Sequence, residues 1–311
     1  MATLICGSLA YDNIMTFEGR FGDHILPDQV HNLNVSFLVP TLRREFGGCA
    51  GNIAYNLRLL GGSPIVMATA GEDVGPYLTH LRSLDLPTEH VRIVPDTMTA
   101  HAMITTDLEN NQITAFHPGA MMHSHLNRVQ DAKGIGLGIV APDGREGMQG
   151  HVEQFAEAGI PFVFDPGQGL PLFDRAELRH MIELATYVAV NDYEAKLLSL
   201  RTEWSAEDIA DRVQAFVVTR GAQGAVIYSQ KKQYAIPVVK AERVVDPTGC
   251  GDAFRGGLLY GIENGLDWET SGRLGSLLGS LKIAHQGPQN HVITHEEIRE
   301  RFKDAFGYVW H

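Results

Sequence analysis

A doubly wound α/β fold, with a mostly parallel sheet and helices on both faces, follows from two observations. Short apolar runs alternate with amphipathic helical stretches along most of the chain, which is the pattern of βαβ units. Acids and glycines gather where those runs stop, at Asp12, Gly71, Asp165, Asn191 and Gly221. In open parallel sheets ligands bind at the carboxyl ends of the strands. The length, 311 residues of which 44% are hydrophobic, suits one large domain, 1–311, with an embellishment.

Taken in order, "TLICGSL" opens the chain as a strand, and Asp12 in "GSLAYDN" ends it as a turn residue, a helix cap or a ligand contact. Met15 to Phe46 has no clean helix. "NIAYNLRLLGG" is the first helix, followed by strand "PIVMATAG", helix "PYLTHLRSL" and strand "HVRIV". Met98 to His117 reads as two strands around the polar turn "ENNQ". The two irregular segments, about 14–46 and 98–118, are expected to form a small separate β-sheet placed as a lid; edge strands of the main sheet are the alternative. Strands "GLGIVAP", "PFVFDPG", "TYVAVND", "AFVVTRG" and "GAVIYS" follow, with "SAEDIADRVQAF" as a helix between the third and fourth. From Asp246 onward the pattern is almost wholly helical.

The net charge of −12 comes without any basic run, which argues against nucleic acid or an anionic membrane as partner. Cys6, Cys49 and Cys250 lie far apart without C-x-x-C spacing and read as reduced thiols of a cytoplasmic protein. The N-terminus runs straight into a strand, with no sign of a signal peptide, and no apolar run approaches bilayer-spanning length.

The chemistry is concentrated in "VVDPTGCGDAFRGGLLYGI". Thr248 or Asp252 could be an ordinary helix cap. A Gly-x-Gly at a helix start, however, bares backbone N–H groups to an anion. An acid beside that anion is useful if it takes a proton from a hydroxyl attacking a phosphate. "FGGCAGNIAYNLRLLGG" is a second Gly-rich helix start. Gly47, Gly48 and Gly51 serve either close packing or the approach of a polyhydroxyl substrate that Asn52 would bond. "VNDYE" puts Asn191 and Glu194 on one helix face, where they either cap the helix or hold Mg²⁺ through its waters. "VVTRGAQGAVIY" turns at Thr219, Gly221 and Gly224 as a β-hairpin, compatible with a nucleotide held on its backbone. "GIGLGIV" leads into a strand, so it fails the dinucleotide-binding context. No Walker sequence is present; His117, His123 and His125 in "HPGAMMHSH" could ligate a metal, but the 14 histidines are scattered along the chain and argue little for zinc.

Together these motifs resemble the ribokinase (PfkB) family of carbohydrate and nucleoside kinases. "GGCAGNIAYNL" looks like its first signature and "DPTGCGDAF" its second. "NDYE" is similar to its Asn-x-x-Glu motif, and "VTRGAQGA" to its ATP-side turn. "GSLAYDNIM", "GRFGDHILP", "LNVSFLV" and "AFHPGAM" are similar to bacterial adenosine kinases. The resemblance implies ATP-dependent phosphorylation of the 5′-hydroxyl of adenosine, with Mg²⁺ as cofactor and a homodimer through the lid. It implies Asp252 as base and Gly249, Cys250 and Gly251 as an anion hole. Asn191 and Glu194 would order the Mg²⁺ waters, and Thr219, Gly221 and Gly224 would hold ATP. Ser8, Asp12, Gly47, Gly48 and Asn52 would hold the ribose, while Ser36, Phe116 and Gln168 reach the base. Asp246 and Thr248 resemble a monovalent-cation site, usually for potassium (K⁺). Ala102 replaces a second aromatic of the relatives, and Gln168 then Gly169 a longer polar pair. The rival readings are a kinase of a free sugar or of another nucleoside, and a nucleoside-binding protein on an inactive kinase fold. The intact Asp252 argues against the last.

Overall fold

The computed structural model describes residues 1–25, 34–109 and 111–310. Numbered along the chain, nine strands form the main sheet: β1 (Ala2–Cys6), β4 (Pro64–Ala70), β5 (Val91–Ile93), β8 (Ile135–Val140), β9 (Phe162–Phe164), β10 (Tyr187–Asn191), β11 (Ala215–Thr219), β12 (Ala225–Ser229) and β13 (Lys232–Ile236). Their spatial order is β13-β12-β11-β10-β9-β8-β1-β4-β5. From β11 to β5 every neighbouring pair is parallel, and only the edge pairs β11–β12 and β12–β13 are antiparallel. The runs are apolar on both faces because both are covered. In β1, Ile5 joins one hydrophobic cluster while Leu4 and Cys6 join the other.

Helices α1 (Cys49–Leu59), α2 (Gly75–Ser83) and α7 (Cys250–Glu263) pack on the Ile5 face. The opposite face carries α3 (Arg145–Glu157), α4 (Arg175–Leu184), α5 (Asp192–Thr202) and α6 (Ala206–Ala210). Helices α8 (Trp268–Ile283) and α9 (His295–Phe306) build a third cluster around Leu274, Leu278, Ile298, Phe302 and Trp310. Glycines let α7 and α8 cross closely: a Cβ on Gly257 would stand 2.5 Å from the Gly275 nitrogen.

The lid is a separate four-stranded sheet of β2 (Ala10–Thr16), β3 (Thr41–Gly47), β6 (Ala100–Thr106) and β7 (Gln112–His117), in the order β3-β2-β6-β7. β2 and β6 are parallel and the other two pairs antiparallel. All eight strands read from apolar runs in the main sheet are present. Three details differ from expectation. The lid begins at Ala10, so Asp12 lies in the middle of a lid strand rather than at the end of β1. Only Ala206–Ala210 of "SAEDIADRVQAF" is helical, because Ala215 and Phe216 are taken into the buried strand β11. β13, an exposed polar edge strand, has no apolar run to announce it. Residues 26–33, which include parts of "GRFGDHILP" and "NLNVSFLV", lie outside the described residues.

Candidate active site

A cavity of about 710 Å³ lies between the lid and the carboxyl ends of the parallel strands. Asp12, Ala102, Ile104, Thr114 and Phe116 line it from the lid; Ser8, Asp165, Asn191 and Thr219 line it from below.

At its centre is the start of α7. Gly249 caps the helix with φ +80°, a left-handed conformation, and a Cβ there would meet Pro288 at 2.6 Å, so glycine is required. The Cys250 N–H is spent on the Pro247 carbonyl at 3.1 Å, and Cys250 does not line the cavity. The Cys250 N–H expected in an anion hole is therefore already bonded, and the bare N–H groups of this turn are those of Gly251 and Asp252. Both line the cavity, and as second and third residues of the helix their N–H groups have no carbonyl one turn back to bond. The Asp252 carboxylate, half-buried, accepts a hydrogen bond from Asn52 Nδ2 at 2.8 Å. Burial pushes its pKa up to about 6; the Asn52 bond opposes that, Asp165 adds to it and Arg255 opposes it. Such a group is ionised at neutral pH yet basic enough to accept a proton.

Asn52 is itself held. Gln289 Nε2 donates to Asn52 Oδ1 at 2.9 Å and to the Tyr77 hydroxyl at 2.8 Å, and Tyr77 donates to the Gly47 carbonyl at 2.6 Å. His80 Nε2 lies 2.9 Å from Gln289 Oε1. Gln289, Tyr77 and His80 were not foreseen: nothing local in their sequence marks them, and they become legible only once α1, α2 and the loop after α8 meet. Ser8 sits at the mouth of α1, where its Oγ accepts from the Cys49 N–H at 3.2 Å. Gly48 has φ +86°, and a Cβ there would strike the Ser8 carbonyl at 2.5 Å. Asp12, reaching in from β2, has its pKa raised to about 6 by burial and by Asp246, Asp252 and Glu45.

Arg255, one turn beyond Asp252, was not foreseen either. Fully buried, it makes a bidentate ion pair with Asp165, Nε to Oδ2 at 2.9 Å and Nη2 to Oδ1 at 3.2 Å. That pair ties α7 to the end of β9. At the end of β10, Asn191 and Glu194 form a reciprocal capping box: Glu194 N–H donates to Asn191 Oδ1 at 2.8 Å, and Asn191 N–H to Glu194 Oε2 at 2.7 Å. Capping is thus their structural role, yet both side chains also line the cavity. Burial, and after it Asp165, raises the Glu194 pKa. This concentration of carboxylates fits a divalent cation. Among the described residues no cluster of three or more His, Cys, Asp or Glu could cage a metal directly, so a metal here would be held through water and substrate oxygens.

Of the residues singled out in the sequence, Ser8, Asp12, Gly48, Asn52, Phe116, Gln168, Asn191, Glu194, Thr219, Thr248, Gly249, Gly251 and Asp252 all line this one cavity. Ser36 does not; it is exposed on the segment before β3. Gly47 stands behind Asp12, where a Cβ would meet its carboxylate at 2.6 Å. Gly221 and Gly224 form the β11–β12 hairpin just outside the cavity. Asp246 is turned away from it. Its Oδ1 accepts from the Thr248 N–H and its Oδ2 from the Gly287 N–H, each at 2.9 Å. The Lys282 ammonium lies 2.6 Å from its carbonyl. The oxygens of Asp246 are thus engaged by the protein itself, the carboxylate by two backbone N–H groups and the carbonyl by Lys282.

The sequence profile of pfkB family carbohydrate kinases matches residues 18–295. The chain belongs to that family. It is a kinase, a phosphotransferase with an alcohol group as acceptor, and its fold is ribokinase-like. The nucleoside kinase of Burkholderia thailandensis, solved in complex with inosine, is 65% identical with a TM-score of 0.91, over 99% of each chain. Its ADP-inosine complex is 67% identical, TM-score 0.88, over 99% of this chain and 97% of that one. The nucleoside kinase of Methanocaldococcus jannaschii is 32% identical over 273 residues, 87% of this chain and 89% of its own length. Among the described residues no helix of the kinase is long and apolar enough to cross a membrane.

Proposed function

We propose that this kinase transfers the γ-phosphoryl group of ATP to the 5′-hydroxyl of a purine ribonucleoside, with adenosine and inosine as acceptors. The observation that carries the proposal is Asp252, a carboxylate with its pKa raised to about 6, fixed by Asn52 at a bare helix start inside the cavity. Asp252 takes the hydroxyl proton as the 5′ oxygen attacks the γ-phosphorus. The bond from that phosphorus to the bridging oxygen breaks, and ADP leaves. The Gly251 and Asp252 N–H groups face the developing charge. A donor of this kind is worth about 3 kcal/mol, against ~0.3–1 kcal/mol for a helix dipole, so the discrete N–H groups dominate. Mg²⁺, held by water near Asn191 and Glu194, would neutralise phosphate charge.

Asp12, Gly48 and Asn52 are assigned to the ribose, and Gln168 to the base. The far end of the cavity is apolar, with Ala102, Ile104, Phe116, Met121 and Leu172, which suits a planar base better than a bare sugar. Inosine joins adenosine because the Burkholderia thailandensis relative was solved with inosine. Exposed Leu42, Met103 and Ile113 on the lid support a homodimer through that sheet, which sedimentation over a concentration series tests. The three unpaired thiols and the ATP requirement suit the cytoplasm. An ATP-coupled assay across adenosine, inosine, guanosine, ribose and fructose 6-phosphate tests the acceptor. Purine nucleosides should be turned over with the highest kcat/KM; a preference for ribose or fructose 6-phosphate would overturn the assignment.

A further inference from the structure

Of the two residues that the family resemblance marks for a monovalent cation, Asp246 turns its oxygens toward a side chain. Lys282, near the end of α8, is 0% exposed. Its Nζ donates to the Asp246 carbonyl at 2.6 Å and to the His285 carbonyl at 3.2 Å, and lies 3.9 Å from Asp246 Oδ2. Two loops are pinned to each other at this point. The loop before α7 is held by Val245 and Asp246 N–H groups donating to the Ile283 carbonyl at 2.9 and 3.2 Å. The loop after α8 returns the contact when the Gly287 N–H donates to Asp246 Oδ2. Backbone carbonyls and one carboxylate are the ligands a hard cation takes, and an ammonium with three donors can satisfy the same set. A lysine wholly removed from water has to be paired and hydrogen-bonded to be tolerated, and these are the partners it has.

We infer that Lys282 is a tethered replacement for the monovalent cation, so that the turn carrying the anion hole is braced by the protein itself and the enzyme has no potassium requirement. Lys282 touches no reacting atom. It is a positioning residue, acting through Asp246, Pro247 and the Cys250 N–H on the first turn of α7. A second cation brought to the same oxygens would meet a like charge at contact distance, with one carboxylate to share between them. The inference rests on α7 being the phosphate-side helix of a kinase, and it does not depend on which nucleoside is the acceptor.

The test compares K⁺ with tetramethylammonium at constant ionic strength, by melting temperature without substrates and by rate with the best acceptor. An ion that binds the folded state raises its melting temperature with concentration. The wild-type protein should melt at the same temperature in both salts and turn over at the same rate. A melting temperature that climbs with K⁺, or a rate more than about two-fold higher in K⁺, would overturn the inference with no variant needed. In Lys282→Ala the oxygens lose their cation and gain room. Its melting temperature should fall in tetramethylammonium and recover in part with K⁺, and kcat should follow while KM for the acceptor changes little. Lys282→Met, which fills the space without a charge, should lose stability and kcat without recovering either in K⁺. If Lys282→Ala lost kcat equally in both salts while melting like wild type, the lysine would not be acting as a cation, and the inference fails. Because melting is read without substrates, an error in the acceptor assignment would leave this result unchanged.

Discussion

Asp252 combines a chemical requirement with a cost in stability. Burial raises its pKa from 3.8 to about 6, so the folded protein binds its proton more tightly than the unfolded chain does. Its stabilising contribution is therefore fully present below pH 3.8 and is lost as the pH rises through about 6. Asp252→Asn keeps the size and the acceptor for Asn52 but carries no charge. It should unfold at higher urea than wild type at pH 8, with the difference vanishing in acid. The same change should lower kcat by about 10²–10⁴-fold, the usual contribution of a general base. Wild-type kcat/KM should fall as the pH drops through about 6, when the base becomes protonated. A variant retaining most of its turnover would remove Asp252 from the role. Phe116 poses the opposite case. It is 50% exposed on a lid strand whose every residue is exposed, so it contributes little to a lid core. Phe116→Ala should leave the melting temperature unmoved. If the ring stacks on the base, the acceptor KM should rise about 5- to 150-fold, the equivalent of roughly 1–3 kcal/mol; an unchanged KM would favour a sugar as acceptor.

Between elements, the decisive contact is the α7–α8 crossing. A Cβ at Gly257 would lie 2.5 Å from the Gly275 nitrogen, and one at Gly261 would lie 2.5 Å from the Ser271 Cβ. Neither neighbour is the free end of a flexible side chain, so the helices themselves must separate. Gly257→Ala is expected to cost about 1–3 kcal/mol, the range for overpacking a filled core, read as a lower urea midpoint at unchanged m-value. Because the first turn of α7 carries Asp252 and α8 carries Lys282, the same change should also lower kcat. The elements that sequence alone could reveal are those with a local signature. The main-sheet strands are short apolar runs because both of their faces are covered. The polar edge strand β13 and the lid strand β2, separated from β1 by only Gly7–Leu9, have no such mark. Cavity residues in Gly-rich helix starts were legible for the same reason. Arg255, Gln289 and Lys282 were not. Each is a polar residue on or beside a helix, identical in sequence to a solvated one until its partner, 90 residues away for Asp165 or 237 for Asn52, is brought against it.

At the scale of the molecule, the lid hangs on the core through Asp73, which lies between β4 and α2. Its Oδ1 accepts from both the N–H and the hydroxyl of Thr99 at 2.7 Å, and Oδ2 lies 2.8 Å from His101 Nε2 on β6. His101 Nδ1 in turn lies 2.9 Å from Asn13 Nδ2 on β2. Burial pushes the Asp73 pKa up, but the bonds from Thr99 and His101 outweigh it and hold it below the ordinary carboxylate value of 3.8. The stability it contributes is thus present above pH 3.8 and lost as pH falls through its lowered pKa. Asp73→Ala leaves the Thr99 donors without a partner, at a cost of about 1–3 kcal/mol for a buried group. The urea midpoint should drop at neutral pH, converging with wild type in acid, and the acceptor KM should rise more than kcat falls. A KM equal to wild type would mean that the lid keeps its position without this tether.

The Asn52–Asp252 hydrogen bond also bears on how the protein is made. It joins two residues 200 positions apart. Strand β1 must likewise wait for β8 before both of its edges are paired. At roughly 5–20 residues per second, Asn52 leaves the ribosome about 10–40 s before its partner exists. A growing chain can therefore complete most of its sheet and still lack a reaction centre. A chain that ends before α7 lacks Asp252 and also Gln289, which holds Asn52, so both sides of that hydrogen bond are set only late in synthesis.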